Sequence, residues 1–74
     1  MFQFLPGDLV EMIYAKDQSP YFRKMFVGKL GVIERKMTKE QDGEVSSPNI
    51  YKVFVDNRIL HLHCLDMKLL SRVD

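Results

Sequence analysis

Only one cysteine, Cys64, occurs among the 74 residues. No internal disulfide can staple this chain, which argues against a secreted disulfide scaffold and for a reducing, cytoplasmic setting. An excess of one charge is also lacking. Eleven Lys and Arg stand against ten Asp and Glu, a net charge of +1, far from the basic surplus of a domain that binds by neutralising phosphates. No apolar run approaches the ~20 residues of a membrane span. Met1-Phe2-Gln3-Phe4-Leu5 carries no basic leader and is broken by Pro6-Gly7-Asp8, so neither export nor a membrane segment is expected. The chain is long enough for one core only, hence a single domain over 1–74.

The chemistry of a catalytic or metal centre is sparse as well. His61, His63 and Cys64 are the one local group of metal-ligating type, and His61 and His63 would share a strand face. A closed zinc site needs four ligands, and the other donors are carboxylates without recognisable spacing, so no metal is expected. Cys64 next to His63 does not provide the geometry of a nucleophile held by a base, and the chain is read as noncatalytic. Gly28 and Gly31 lack the wider glycine spacing and following helix that cradle a phosphate. No cofactor is expected.

What is present is a succession of short strands. After the Pro6-Gly7 turn, residues 8–16 alternate, placing Val10, Met12 and Tyr14 on one side. Residues 17–26 begin with turn formers and have no clean period, which predicts a long loop after the first strand with room for a helical turn. Two glycines three apart, Gly28 and Gly31, lead into Val32-Ile33, predicting a bent strand over 29–38 whose backbone passes close to another. Thr38 to Asn49 is polar and aperiodic, a mobile hairpin tip. Ile50 to Asp56 alternates with Tyr51, Val53 and Val55 on one face, and Asp56-Asn57 tolerates the positive φ of a tight turn back into 58–62. His63 to Asp66 suits one 3₁₀ turn, and Met67 to Ser71 closes the sheet. Without a helix long enough for a parallel crossover, the fold class is mostly β, a small five-stranded antiparallel barrel.

Three segments together, Pro6-Gly7-Asp8-Leu9-Val10, Gly28 through Ile33 and Tyr51 through Ser71, resemble a small SH3-like barrel of the KOW type. In layout the chain is similar to short bacteriophage proteins of unassigned function. The resemblance implies the barrel and, from KOW relatives, an RNA or ribosome role. The chain departs from KOW segments in that Asp17 to Val27 intervenes before the glycines. It departs from proline-binding SH3 domains in having no tryptophan, so that groove is not expected.

Val10, Ile33, Val53, Val55, Leu65 and Leu69 are the expected core. Five Phe, five Met and three Tyr exceed what so small an interior can hold, which predicts an exposed apolar patch drawn from Phe2, Phe22, Met25, Phe26 and Phe54, and self-association into a homo-oligomer. Tyr21, Phe22, Arg23, Lys24, Met25 and Phe26 interleave aromatic and basic groups and are the candidate partner-binding residues, lying in the loop at 17–27. That composition serves a protein interface, a base-stacking surface, or a cap folded back over the barrel. Near neutrality favours a protein partner. A weak RNA or DNA binder using Arg23, Lys24, Lys29, Arg35 and Lys36 is the alternative.

Overall fold

The computed structural model describes residues 3–45 and 48–72. Phe2, Ser46 and Ser47, which the sequence placed in the apolar patch and the hairpin tip, lie outside the described residues. The strands are β1 (Leu9–Met12), β2 (Leu30–Lys36), β3 (Ile50–Val55), β4 (Arg58–His63) and β5 (Met67–Ser71), with helices α1 (Pro20–Phe26) and α2 (Lys39–Asp42) and a 3₁₀ turn at Cys64–Asp66. All pair antiparallel in one sheet, in the order β4-β3-β2-β1-β5. The fold is therefore mostly β and compatible with an SH3-like arrangement. The expected barrel is not closed: β4 and β5 are the two edges, joined in sequence by the 3₁₀ turn.

Local chemistry explains most of these boundaries. Asp56 and Asn57 have φ of 51° and 62°, the pair of positive values that a two-residue hairpin turn needs to match strand twist. His63 Nδ1 accepts the Leu65 N–H at 3.1 Å and an Asp66 carboxylate oxygen accepts the His63 N–H at 3.3 Å, which fixes the 3₁₀ turn by a reciprocal cap.

β1 is shorter than its alternation suggests. It ends at Met12 because Ile13 N–H turns to Asp66 O at 2.9 Å and Ala15 N–H is taken by Gln18 Oε1 at 3.0 Å. Tyr14, expected on the core side, is consequently 63% exposed.

The segment expected as a long loop contains two turns of helix. Ser19 Oγ accepts the Phe22 N–H at 3.1 Å and Pro20 occupies the first turn, the standard opening of a helix. Phe22 and Phe26, one helical repeat apart, then pack their rings at 5.2 Å, tilted by 42°, on the inner side of α1. The polar tip likewise holds structure. Thr38 caps α2, and Arg35 clamps Asp42 through Nη2 at 2.7 Å and Nη1 at 2.9 Å.

Phe4, Val10, Met12, Phe26, Ile33, Tyr51, Val53, Val55, Leu62 and Met67 form the core, with Phe22, Leu60, Cys64 and Leu69 packed at its margin. Four of the six expected core residues are thus buried and Leu69 is half-buried. Leu65 is the exception at 70% exposed, because the tight 3₁₀ turn directs it outward. Phe26, expected in the exposed patch, is buried, since α1 turns its ring inward. Phe4 packs edge-on against Tyr51 at 5.3 Å and 88°.

Gly31 is the position where the backbone itself approaches the core. A Cβ there would meet Val55 Cγ2 at 2.8 Å, Val53 Cγ1 at 2.9 Å and Met12 Cε at 3.2 Å. The Gly31→Ala variant is expected to lose about 1–3 kcal/mol through overpacking, read as a lower urea midpoint at unchanged slope. An unchanged midpoint would show that β2 and β3 can move apart there.

Candidate functional site

The stretch after β1 is held rigidly against the 3₁₀ turn by one side chain. Gln18 donates through Nε2 to Ile13 O at 2.8 Å and to Asp66 Oδ1 at 2.8 Å while its Oε1 accepts Ala15 N–H. This clamp forms the junction of a cleft of about 590 Å³. One wall is Ala15 to Ser19 with Phe22; the other is His61, Leu62 and His63 of β4 with Leu65 and Asp66. The apolar part of the rim is supplied by half-buried Phe22 and by Leu65.

α1 borders this cleft and carries all six candidate binding residues, but they divide by face. Phe26 is in the core, and Phe22 packs against it from the cleft side. Arg23 lies over the Tyr14 ring at 4.3 Å and donates through Nη2 to Ala15 O at 3.3 Å and Lys16 O at 3.0 Å. Its guanidinium therefore stabilises the preceding bend. Tyr21, Lys24 and Met25 remain outward, Tyr21 at 67% exposure. One face of α1 thus caps the core through Phe22 and Phe26, and the other is exposed.

Sequence reasoning did not foresee the cleft. The turn formers that open residues 17–26 do not single out Gln18, and apolar character places Leu65 in the expected core. The signal that could have found it is Ser19-Pro20, which starts a helix and thereby sets the preceding residues into a fixed bend.

His61 is exposed on β4, and His63 is engaged as the cap of the 3₁₀ turn. Among the described residues no group of three or more His, Cys, Asp or Glu could hold a metal ion. No helix of the described residues is long and apolar enough to cross a membrane.

Two carboxylates are set below their ordinary range. The hydrogen bond from Arg72 lowers the Asp8 pKa, helped by the Leu5 N–H and opposed by burial. Asp42 is held well below the usual carboxylate range, first by the Arg35 hydrogen bond and then by the Thr38 N–H. Both lie outside the cleft lining, so the shifts belong to the scaffold. No family model, curated protein or solved structure matches the chain.

Proposed function

We propose that this domain is a noncatalytic binding module that contacts a protein partner through the cleft between residues 15–19 and β4 and the outward face of α1. The observation that carries this reading is the cleft itself, a preformed recess with Phe22 and Leu65 on its rim beside exposed Tyr21. Aromatic and aliphatic anchors at a recess whose walls are already hydrogen-bonded lose little freedom on association, the condition under which a small interface yields useful affinity. Its polar lining mixes Lys16, Asp17, Asp66, His61 and His63, which suits a peptide backbone with side chains of either sign better than a phosphate chain.

The nucleic-acid reading of KOW type has less support. Of its five cations, Lys29 is paired with Asp56 at 2.6 Å, Arg35 with Asp42 at 2.7 Å, and Arg23 is bound to backbone carbonyls. Only Lys24 and Lys36 of that set carry no such tie among the described contacts, too few for a phosphate track.

Affinity capture from lysate of the source cells, with and without nuclease, tests the proposal. A partner retained after nuclease and reduced at least about tenfold by Leu65→Ser with Tyr21→Ser is expected. The double variant should melt within a few degrees of the parent, because both side chains are exposed. Capture that disappears with nuclease, or that the double variant leaves intact, would overturn it.

A further inference from the structure

The cleft meets β4 edge-on. His61, Leu62 and His63 all line it, although successive residues of a strand point to opposite faces of the sheet. Leu62 is buried on the inner face and His61 is exposed on the outer one. A recess that reaches both faces at once lies against the side of the strand. That side is open, since β4 is the last strand of the sheet.

The register shows which backbone groups stand there. In antiparallel pairing only alternate residues turn their N–H and C=O toward the neighbouring strand. The turn at Asp56-Asn57 makes Val55 and Arg58 a hydrogen-bonded pair, so Leu60 and Leu62 face β3 while Ile59, His61 and His63 face outward. Two bonds agree with this phase. Cys64 N–H, next in the inward series, donates to Asn49 O at 3.0 Å, and His63 N–H turns away from β3 to the Asp66 carboxylate at 3.3 Å. The cap thus uses the His63 donor. The N–H and C=O of Ile59 and His61 have no partner among the described contacts, and His61 is in the cleft lining.

We infer that the cleft takes a single extended segment of a partner protein, which adds to the five-stranded sheet beside β4 by exchanging main-chain hydrogen bonds with His61 and Ile59. The inference rests on the reading of the cleft as a protein-binding site and specifies what that site recognises. The far wall selects the occupant. Residues 15–19 and Phe22 bound the recess opposite β4, where the edge of a folded sheet, that of a second copy of this chain included, would have to place its next strand. A lone segment brings no such neighbour. Its side chains alternate: those turned inward meet Leu62 and Phe22, and those turned outward stand beside His61. The matching sequence is an apolar residue with a polar one on either side, held chiefly through its backbone.

Panning the full chain against a display library of random peptides about seven residues long, close to one strand, supplies the probe. Selected peptides are expected to alternate apolar and polar residues. N-methylation of their backbone at every second position should weaken binding at least about tenfold, while N-methylation at the positions between should leave it within about twofold. Bound peptide should slow hydrogen exchange of the Ile59 and His61 amides at least about tenfold. His61→Pro, which deletes the outward N–H without touching the ladder to β3, should weaken binding by a similar factor, and His61→Ala should not. A thermal melt checks that both variants are folded, and the N-methylation and exchange measurements decide the matter if the proline variant is not. Peptide binding that Leu65→Ser with Tyr21→Ser weakens, but that His61→Pro and N-methylation leave unchanged, would overturn strand addition and leave the cleft a site read through side chains. Binding indifferent to both sets of variants would overturn the cleft reading together with this one. No peptide binding below about 1 mM would overturn the inference as well. So would protection of the His61 amide that rises with protein concentration in the absence of peptide, which would assign the edge to a second copy.

Discussion

A Val53→Asp variant is expected to be unfolded at neutral pH and 25 °C. Val53 is fully buried in β3, which pairs with strands on both sides, and it packs into the cluster of Val10, Ile33, Tyr51 and Val55. No cation is among these core neighbours. A carboxylate there loses its water without gaining a partner, at a cost of several kcal/mol even after partial relaxation or protonation. A domain of this size has only about 3–5 kcal/mol of net stability to lose. Gln41→Ala provides the contrast. Gln41 is exposed on α2 and, among the described residues, its side chain makes only the long contacts to Arg35 Nη1 at 3.3 Å and Thr38 Oγ1 at 3.5 Å. Its removal is expected to change stability by less than about 0.5 kcal/mol. Circular dichroism melts of the two variants decide the matter. Equal losses would mean that the assignment of β3 to the core and of α2 to the periphery is wrong.

The parts of this fold that were legible in the sequence are those written in strand alternation and turn chemistry. Tyr51, Val53 and Val55 alternate with half-buried or exposed neighbours in β3, and Asp56-Asn57 specifies its turn with two residues. These are local signals, and tertiary contacts only reinforce them. Legibility failed where burial is decided by an element that covers the sheet instead of belonging to it. Phe4 and Phe26 enter the core from a leading segment and a helix, and neither position follows from a period of two. Leu65 misled because apolar character alone cannot tell which way a 3₁₀ turn points its side chain. The excess of large apolar residues was real. Its location was legible in part: Met25 and Phe54 are exposed as expected, whereas Phe22 and Phe26 are drawn into the core and its margin, and Val32 and Ile59 stand outside beside Phe54 by strand register. Register is a property of pairing between distant segments, which no single strand encodes.

Removal of Arg72 is expected to destabilise the domain by about 2–3 kcal/mol, with a pH dependence that identifies the cause. Asp8 is the one buried charged residue among the described residues, 1% exposed. Its oxygens accept from Arg72 Nη2 at 2.9 Å and Nε at 3.1 Å, and from Leu5 N–H at 2.8 Å. Arg72 also donates to Gln3 O at 3.1 Å, so the pair ties the end of β5 to the segment before β1. Breaking a buried pair by removing one partner commonly costs about 3–5 kcal/mol; the lower figure expected here reflects a guanidinium that water already screens, its side chain being 37% exposed.

The sign of the pH effect follows from the depressed Asp8 pKa. Its ordinary value is 3.8 and the folded value lies lower, so on acidification the unfolded chain takes up the proton first. The stabilisation is fully present above about pH 5 and is lost as pH falls below about 4, through the folded pKa. In Arg72→Ala the same carboxyl is buried without its cation. Burial then dominates and raises its pKa, so the folded variant takes up the proton first and gains relative stability as pH falls from 7. The gap between parent and variant should therefore be widest near pH 7 and narrow steadily toward pH 3. Asp42, also depressed by its own arginine, acts alike in both proteins and cancels in the difference. Urea midpoints measured from pH 3 to pH 7 test this, and a gap of constant width would show that Arg72 stabilises through its packing and its bond to Gln3 instead of through the charge of Asp8.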